Sequence, residues 1–160
     1  MTSEIKKHDY CQKTIELENH ARMLYLNMGE RLYNIRNERL YEPAWSSWQE
    51  YCMEFKDLSA GSISKMITVY EIFILKYGFS PEKLSEVGGW TKLYTLIPLI
   101  SSKTEAKEWL GKSVLLTRKD LTLEVKEART GISISKCEHE NAILLKICPD
   151  CGNKERIYEK

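Results

Sequence analysis

The 160-residue chain lacks the sequence features that mark membrane proteins, secreted proteins and the common enzyme classes. No apolar run approaches the ~20 residues that a membrane span requires, and the N-terminus does not resemble a signal peptide. Phosphate-binding loops, dinucleotide fingerprints, nucleophile elbows and paired catalytic carboxylates are also missing. These absences predict a protein with no membrane partner and no catalytic activity.

An excess of charge of one sign is missing too. The chain has 24 Lys and Arg residues against 23 Asp and Glu residues, so any contact with nucleic acid must come from a local patch. Two isolated cysteines, Cys11 and Cys52, suit a reducing cytoplasm in which disulfides are rare. An apolar content of 42% predicts a folded chain. Its length fits one ordinary domain with a small appendage.

The C-terminal segment carries the sharpest chemical signal, four soft metal ligands in the pattern C-x-H-x8-C-x2-C: Cys137, His139, Cys148 and Cys151. Four thiolate and imidazole ligands suit a closed, tetrahedral Zn²⁺ site. The sequence C-P-D-C-G at the second pair has the form of a knuckle, in which Gly152 permits a positive φ. We therefore predict one structural zinc ion. The alternatives are reduced surface thiols, or a disulfide between Cys148 and Cys151.

The same segment has too few apolar side chains to fold alone. Its large apolar residues are Ile132, Ile134, Ile143, Leu144, Leu145, Ile147, Ile157 and Tyr158. Natural domains of this size recruit a metal or disulfides, and a structural zinc ion supplies roughly 10–16 kcal/mol of apparent binding energy. We expect a short β-hairpin from residues 141–147 and 154–158. A catalytic zinc of the nucleobase-deaminase kind is disfavoured, because H-x-E is missing and four protein ligands leave no position for water.

Residues 14–39 are predicted to form one long helix. Apolar side chains recur along it at steps of three and four, which places them on one stripe: Leu17, Ala21, Leu24, Met28, Leu32 and Ile35. Such a stripe packs either on the rest of the chain or on a second copy as a coiled coil. We favour packing within the chain, with a homodimer through this helix as the alternative.

The next two helices have the layout of a helix-turn-helix. The first carries an apolar face of Trp45, Trp48, Cys52 and Phe55, and a turn ending at Gly61 leads to a second helix over residues 62–77. That second helix has an apolar stripe: Ile63, Met66, Ile67, Tyr70, Phe73 and Ile74. Its other side offers small polar and basic side chains, which can hydrogen-bond phosphates and base edges. The candidate DNA contacts are Ser59, Ser62, Ser64, Lys65 and Thr68.

Three segments of this region resemble proteins of phages, plasmids and integrative elements. They are MGERLYNIRNERLY at 28–41, WSSWQEYC at 45–52 and SISKMI at 62–67. In the similar proteins a helix ending in I-R-x-x-R-L-Y precedes F-x-x-Y-C and then a polar helix, and they are identified as ParB/KorB-like helix-turn-helix DNA-binding proteins. The resemblance covers about residues 28–78, with Trp48 in place of the family's Phe. It implies a helix-turn-helix fold and DNA binding.

The remaining body is predicted as short helices over residues 83–87, 90–99 and 105–111 and a last one that ends near residue 129. Ser80-Pro81, Ser102 and Thr117 supply N-cap signals. Residues 101–136 carry eight basic side chains against five acidic ones, whereas residues 1–60 carry eight against ten. A phosphate-binding face is therefore expected in residues 101–136, with a solvated, salt-bridged surface as the alternative.

Together these patterns predict a mainly α protein, a multi-helix bundle containing a helix-turn-helix, with a small C-terminal zinc-bound β-hairpin. The predicted parts are a long N-terminal helix in 1–43, a helical domain in 44–130 and a zinc-ribbon-like tail in 131–160. We predict a cytoplasmic DNA-binding protein of a mobile genetic element, either a transcriptional regulator or a replication or partition accessory. The alternative is a phage-encoded interaction module or inhibitor acting on a host protein, which the abundance of Trp and Tyr favours.

Overall fold

The computed structural model describes residues 3–131 and two strand segments, 144–147 and 154–157. The helices are α1 (Ser3–Asn37), α2 (Trp48–Met53), α3 (Ala60–Val69) with a π-helical continuation (Tyr70–Lys76), α4 (Pro81–Val87), α5 (Trp90–Leu96) with a 3₁₀ turn (Ile97–Leu99), α6 (Lys103–Leu115) and α7 (Arg118–Thr130). The strands β1 (Leu144–Ile147) and β2 (Lys154–Ile157) pair antiparallel. The mainly α class is therefore confirmed. Within the described residues, no helix is both long and apolar enough to cross a membrane.

Hydroxyl caps fix where the short helices begin. Five N-cap side chains accept a hydrogen bond from the backbone N–H three residues later: Ser47, Ser59, Ser80, Ser102 and Thr117. The predicted caps at Ser80, Ser102 and Thr117 are thus confirmed. At the start of α6 the Glu105 carboxylate also accepts from the Ser101 hydroxyl at 2.7 Å and from its N–H at 2.8 Å. These two hydrogen bonds lower the pKa of Glu105.

The interior of the described part of the chain contains two apolar clusters. The larger surrounds Phe73 and joins side chains of α4, α5, α6 and α7, including the fully buried Leu84, Leu93 and Leu121. The smaller joins α1, α2 and α3: Leu32, Cys52, Ile63, Met66 and Ile67. The apolar stripe predicted for the second helix of the helix-turn-helix is therefore the buried one, although the helix changes to π geometry at Tyr70.

The favoured prediction, that the apolar stripe of α1 packs within the chain, is only partly correct. Leu32 is buried, but Leu17 is 71% exposed and Leu24 is 58% exposed. Every residue from 9 to 21 is exposed, because the first half of α1 extends away from the described body. Where α1 does meet the body, its most buried side chain besides Leu32 is Leu26, which does not belong to the predicted stripe.

A glycine permits the closest approach of α1 to α3. A Cβ atom added at Gly29 would lie 2.8 Å from the carbonyl oxygen of Met66, which is backbone and cannot rotate away. In contrast, a Cβ added at Gly111 in α6 would have no atom of the described residues within 4 Å. Glycine at position 29 is therefore required by packing, whereas at position 111 it only lowers helix propensity.

This contrast predicts opposite effects for the same substitution. Gly29→Ala is expected to lower the free energy of unfolding by about 1–3 kcal/mol, because α1 and α3 must separate. Gly111→Ala is expected to raise it by about 0.5–1 kcal/mol, through helix propensity alone. Urea unfolding of both variants measures the difference. A stable Gly29→Ala protein would contradict the close packing of these helices.

Lys92 ties the C-terminal ends of two helices together. Its Nζ donates to the Val87 carbonyl at the end of α4 at 3.2 Å and to the Ser113 carbonyl near the end of α6 at 2.9 Å. Arg22 of α1 donates to the nearby Ser85 carbonyl at 3.4 Å. Burial, and secondarily the Arg22 charge, lower the pKa of Lys92. Lys92 thus donates to carbonyls near helix ends, where partners within the helix are missing, whereas Arg22 adds a second donor to the Ser85 carbonyl, which already accepts from the Gly88 N–H.

Lys92→Met keeps most of the aliphatic stem and removes the donor. We expect it to lower the free energy of unfolding by about 1–3 kcal/mol, because two carbonyl groups lose their partner. Lys83→Met, which changes an exposed lysine of α4, is the matched control and should stay within about 0.5 kcal/mol. Thermal or urea unfolding of the two variants tests this role, and equal stabilities would refute it.

Candidate nucleic-acid interface

The five residues predicted to contact DNA lie at the start of α3 and along its outer side. Ser59 caps the helix, and its hydroxyl oxygen lies 3.0 Å from that of Ser62. Thr68 donates its hydroxyl to the Ser64 carbonyl at 2.9 Å. Three of the predicted hydroxyls are thus engaged in local hydrogen bonds. Ser64 and Lys65 are the exposed polar side chains that α3 presents from within the helix.

Lys65 connects α3 to its neighbour α5. Its Nζ lies 5.5 Å from the centre of the Tyr94 ring, a distance typical of a cation–π contact. Tyr94 is 36% exposed. The ring therefore holds the Lys65 charge at the surface, on the side of α3 that faces α5.

Tyr94 also lines a groove between α5 and α7. The groove has a volume of about 550 Å³, and its α5 side is formed by Tyr94, Thr95 and Pro98. The α7 side is formed by Thr122, Val125, Lys126, Arg129 and Thr130. Lys65, the groove and α7 are consequently parts of one continuous surface.

The sequence of α7 explains why its cations point into this groove. Leu121 and Val125 are buried and fix the rotation of the helix. Thr122, Lys126 and Arg129 follow at steps of four and three, and such steps place side chains on one face of a helix. The groove face of α7 thus carries two positive charges and a hydroxyl.

The cations of this surface have no acidic partner among the described residues. Lys65, Lys126 and Arg129 form no ion pair with any residue in the described part of the chain. Elsewhere in the same part, Arg22, Arg36 and Arg39 are each paired with a glutamate. Three cations beside a hydroxyl-lined groove can hold the phosphate oxygens of a nucleic-acid backbone. We call Lys65, Tyr94, Thr122, Lys126 and Arg129 the basic surface.

Sequence reasoning found part of the basic surface. It named Lys65, and it included Lys126 and Arg129 in the segment with excess positive charge. It missed Tyr94 and Thr122, whose sequence context carries no signal. The spacing of Lys126 and Arg129 on the predicted last helix could have singled them out among the basic residues, because residues three apart share a face.

A second surface has the opposite charge. Around α2 the Tyr51 ring contacts four other aromatic rings at centroid distances of 5.0–6.4 Å: Tyr41, Trp45, Trp48 and Phe55. These rings are partly exposed. Residues 37–57 contain five acidic side chains against two basic ones. We call this the acidic aromatic surface, and its composition suits a protein partner better than a phosphate backbone.

The predicted zinc ligands Cys137, His139, Cys148 and Cys151 lie outside the described residues. Among the described ones, no group of three or more His, Cys, Asp or Glu side chains is placed to hold a metal ion. In β1 and β2, Leu144 pairs with Ile157 and Ile147 pairs with Lys154. Cys148 therefore directly follows β1, and Cys151 belongs to the segment that connects the two strands.

Comparison with protein-family models, curated proteins and solved structures finds no match to this chain.

Proposed function

We propose that the chain is a DNA-binding protein of a mobile genetic element, a transcriptional regulator or a replication or partition accessory. In this proposal α2 and α3 act as a helix-turn-helix, and the start of α3 enters the major groove, which is wide enough for one helix. The basic surface holds the adjoining phosphates. The protein has no catalytic role.

The observation that carries the proposal is the position of Lys65 on Tyr94. Lys65 lies on the predicted recognition helix, and Tyr94 belongs to the groove that carries Lys126 and Arg129. Residues from three separate helices therefore contribute to one patch of positive charge, although the whole chain has a formal charge of only +1. Local concentration of charge on a nearly neutral protein is what phosphate contacts require.

The salt dependence of duplex binding tests the proposal. Neutralising three phosphates predicts that log K falls with log[salt] at a slope of about −3, since each contact contributes roughly −0.9. Titration of a fluorescent duplex at several salt concentrations measures this slope. Absence of binding at low salt would refute the proposal, and equal affinity for unrelated duplexes would limit it to binding without sequence preference.

The proposal includes one structural zinc ion held by Cys137, His139, Cys148 and Cys151. The donor set fits this ion, because three thiolates and one imidazole complete a tetrahedral site. The pairing of β1 with β2 supports it, since the second cysteine pair lies in sequence between strands that run side by side. The ion would connect this segment to Cys137 and His139 and so stabilise the tail.

The acidic aromatic surface supports a second candidate function, an interaction module that acts on a host protein. Clustered aromatic side chains dominate the binding energy of many protein interfaces. Under this alternative, a pull-down from host extract returns one protein and no nucleic acid, and Trp45→Ala weakens the capture. Trp45 is suitable because it precedes α2 and, besides its ring contact with Tyr51, its indole N–H donates to the exposed Glu54 carboxylate at 3.2 Å.

A further inference from the structure

The first half of α1 presents an apolar seam that nothing in the described chain covers. Tyr10 is 79% exposed, Leu17 is 71% exposed and Leu24 is 58% exposed. Tyr10 and Leu17 precede the first contacts of α1 with the body, which begin near Arg22, and Leu24 lies two residues beyond Arg22. A lone helix that projects into water is only marginally stable, even with good propensity.

The spacing of the seam is that of a coiled coil. Tyr10, Leu17 and Leu24 are seven residues apart, and Thr14 and Ala21 lie four residues after the first two of them. This alternation of three and four defines the a and d positions of a heptad, with Thr14 and Ala21 at a and the larger residues at d. Leucine at d suits a two-stranded, parallel arrangement.

The hydroxyl at the a position of the seam already has a partner within its own helix. The only hydroxyl at an a position, that of Thr14, donates to the Tyr10 carbonyl within the same helix at 2.9 Å. Its methyl group is then the part available to a neighbouring helix. The small side chains of Thr14 and Ala21 allow two helices to approach closely at these levels.

We propose that two copies of this chain pair through the first halves of their α1 helices, parallel and in register. Charge supports this orientation. Lys13 takes the g position and Glu18 the following e position, which face each other between the two strands of a parallel coiled coil. Within one chain Lys13 is paired with Asp9 at 2.7 Å, and Glu18 is paired with Arg22. Pairing would join these contacts into two four-residue networks of alternating charge.

Parallel pairing places both helical bodies at the same end of the two paired α1 helices. Each body carries one basic surface, so two such surfaces could contact one duplex. This consequence rests on the proposed function, whereas the pairing itself does not. Two linked sites bind more tightly than one, because the second contact becomes intramolecular.

Sedimentation equilibrium of the full-length protein without DNA tests the pairing. We expect a mass of twice 18.7 kDa at micromolar concentration. The double variant Tyr10→Glu, Leu17→Glu should dissociate at least about 100-fold more readily, because it replaces four large apolar side chains of the paired seam with four negative charges. Gln12→Glu, Asn19→Glu adds the same charge at the outward f positions and should remain dimeric. A monomeric wild-type protein, or equal dissociation of both variants, would overturn the proposal.

Cross-linking tests the orientation without disturbing the seam by charge. In a Cys11→Ser background, Tyr10→Cys should form an interchain disulfide on mild oxidation, because equivalent d positions approach closely enough only in a parallel, in-register pair. Cys52 does not compete, since it is buried and burial raises the pKa of its thiol. The Cys11→Ser parent reports any cross-link through other cysteines. A Tyr10→Cys protein that is dimeric but forms no disulfide at position 10 would refute the parallel arrangement.

The two proposals fail separately in these experiments. A dimer that binds no duplex at low salt would refute the proposed function and leave the pairing intact. A monomer that binds duplex with a steep salt dependence would refute the pairing and leave DNA binding intact.

Discussion

Reversing both charges of the groove, with Lys126→Glu and Arg129→Glu, is expected to weaken duplex binding by at least about 100-fold at physiological salt. Each substitution removes an attraction to phosphate and adds a repulsion at the same place. Both side chains are exposed and lack an ion-pair partner among the described residues, so the helical body should keep its stability. Fluorescence anisotropy at a fixed salt concentration measures the loss.

A matched variant separates the local patch from the overall charge. Lys83→Glu, Lys107→Glu changes the formal charge from +1 to −3, as the groove variant does, but alters exposed residues of α4 and α6 outside the groove. It should lose much less affinity, because exposed charges beyond about 8 Å are largely screened at physiological salt. If both double variants lost affinity equally, the groove would have no special role.

Lys65→Ala tests the link between α3 and the groove. Removing one phosphate contact should flatten the salt dependence by about one unit of slope, with a similar loss for every duplex sequence. A loss confined to one sequence would instead place Lys65 at a base edge. Either result locates α3 on the duplex, whereas unchanged binding would remove α3 from the interface.

Local patterns predicted most of the helical body. The caps at Ser80, Ser102 and Thr117 satisfy N–H groups of the next few residues, so a short stretch of sequence is enough to place them. The buried stripe of α3 was also predictable, because its apolar residues keep a helical period over several turns. Both features depend on interactions within one helix.

The features that sequence could not predict depend on distant parts of the chain. An apolar stripe on α1 does not say where the helix leaves the body, so Leu17 and Leu24 were assigned to a packed face although they are exposed. Gly29 looks like a helix-weakening residue until the Met66 carbonyl is seen beside it. The groove between α5 and α7 exists only because two helices separated in sequence pack side by side.

Zinc binding is the prediction that involves the largest expected free energy. Purified protein is expected to retain one zinc ion per chain after dialysis, because a closed site of this donor type contributes roughly 10–16 kcal/mol of apparent binding energy. Cys148→Ser should reduce the bound metal to a small fraction of one equivalent, since Ser supplies no thiolate. Elemental analysis of the dialysed proteins measures the change. Cys11→Ser, the same substitution at an exposed cysteine outside the predicted set, should keep the full equivalent.

Acid and chelators should release the metal without unfolding the helical body. Thiolate and imidazole must lose a proton to bind zinc, so affinity falls as the pH drops. Among the described residues, the clusters around Phe73 and Ile63 have their members within 26–125, so we expect them to unfold at a similar temperature with or without the ion. Protein that contains no zinc, and in which peptide mapping by mass spectrometry under non-reducing conditions finds Cys148 linked to Cys151, would establish the disulfide instead. If loss of zinc lowered the midpoint temperature of thermal unfolding, the tail would stabilise the helical body. That result would contradict the expectation drawn from the two clusters.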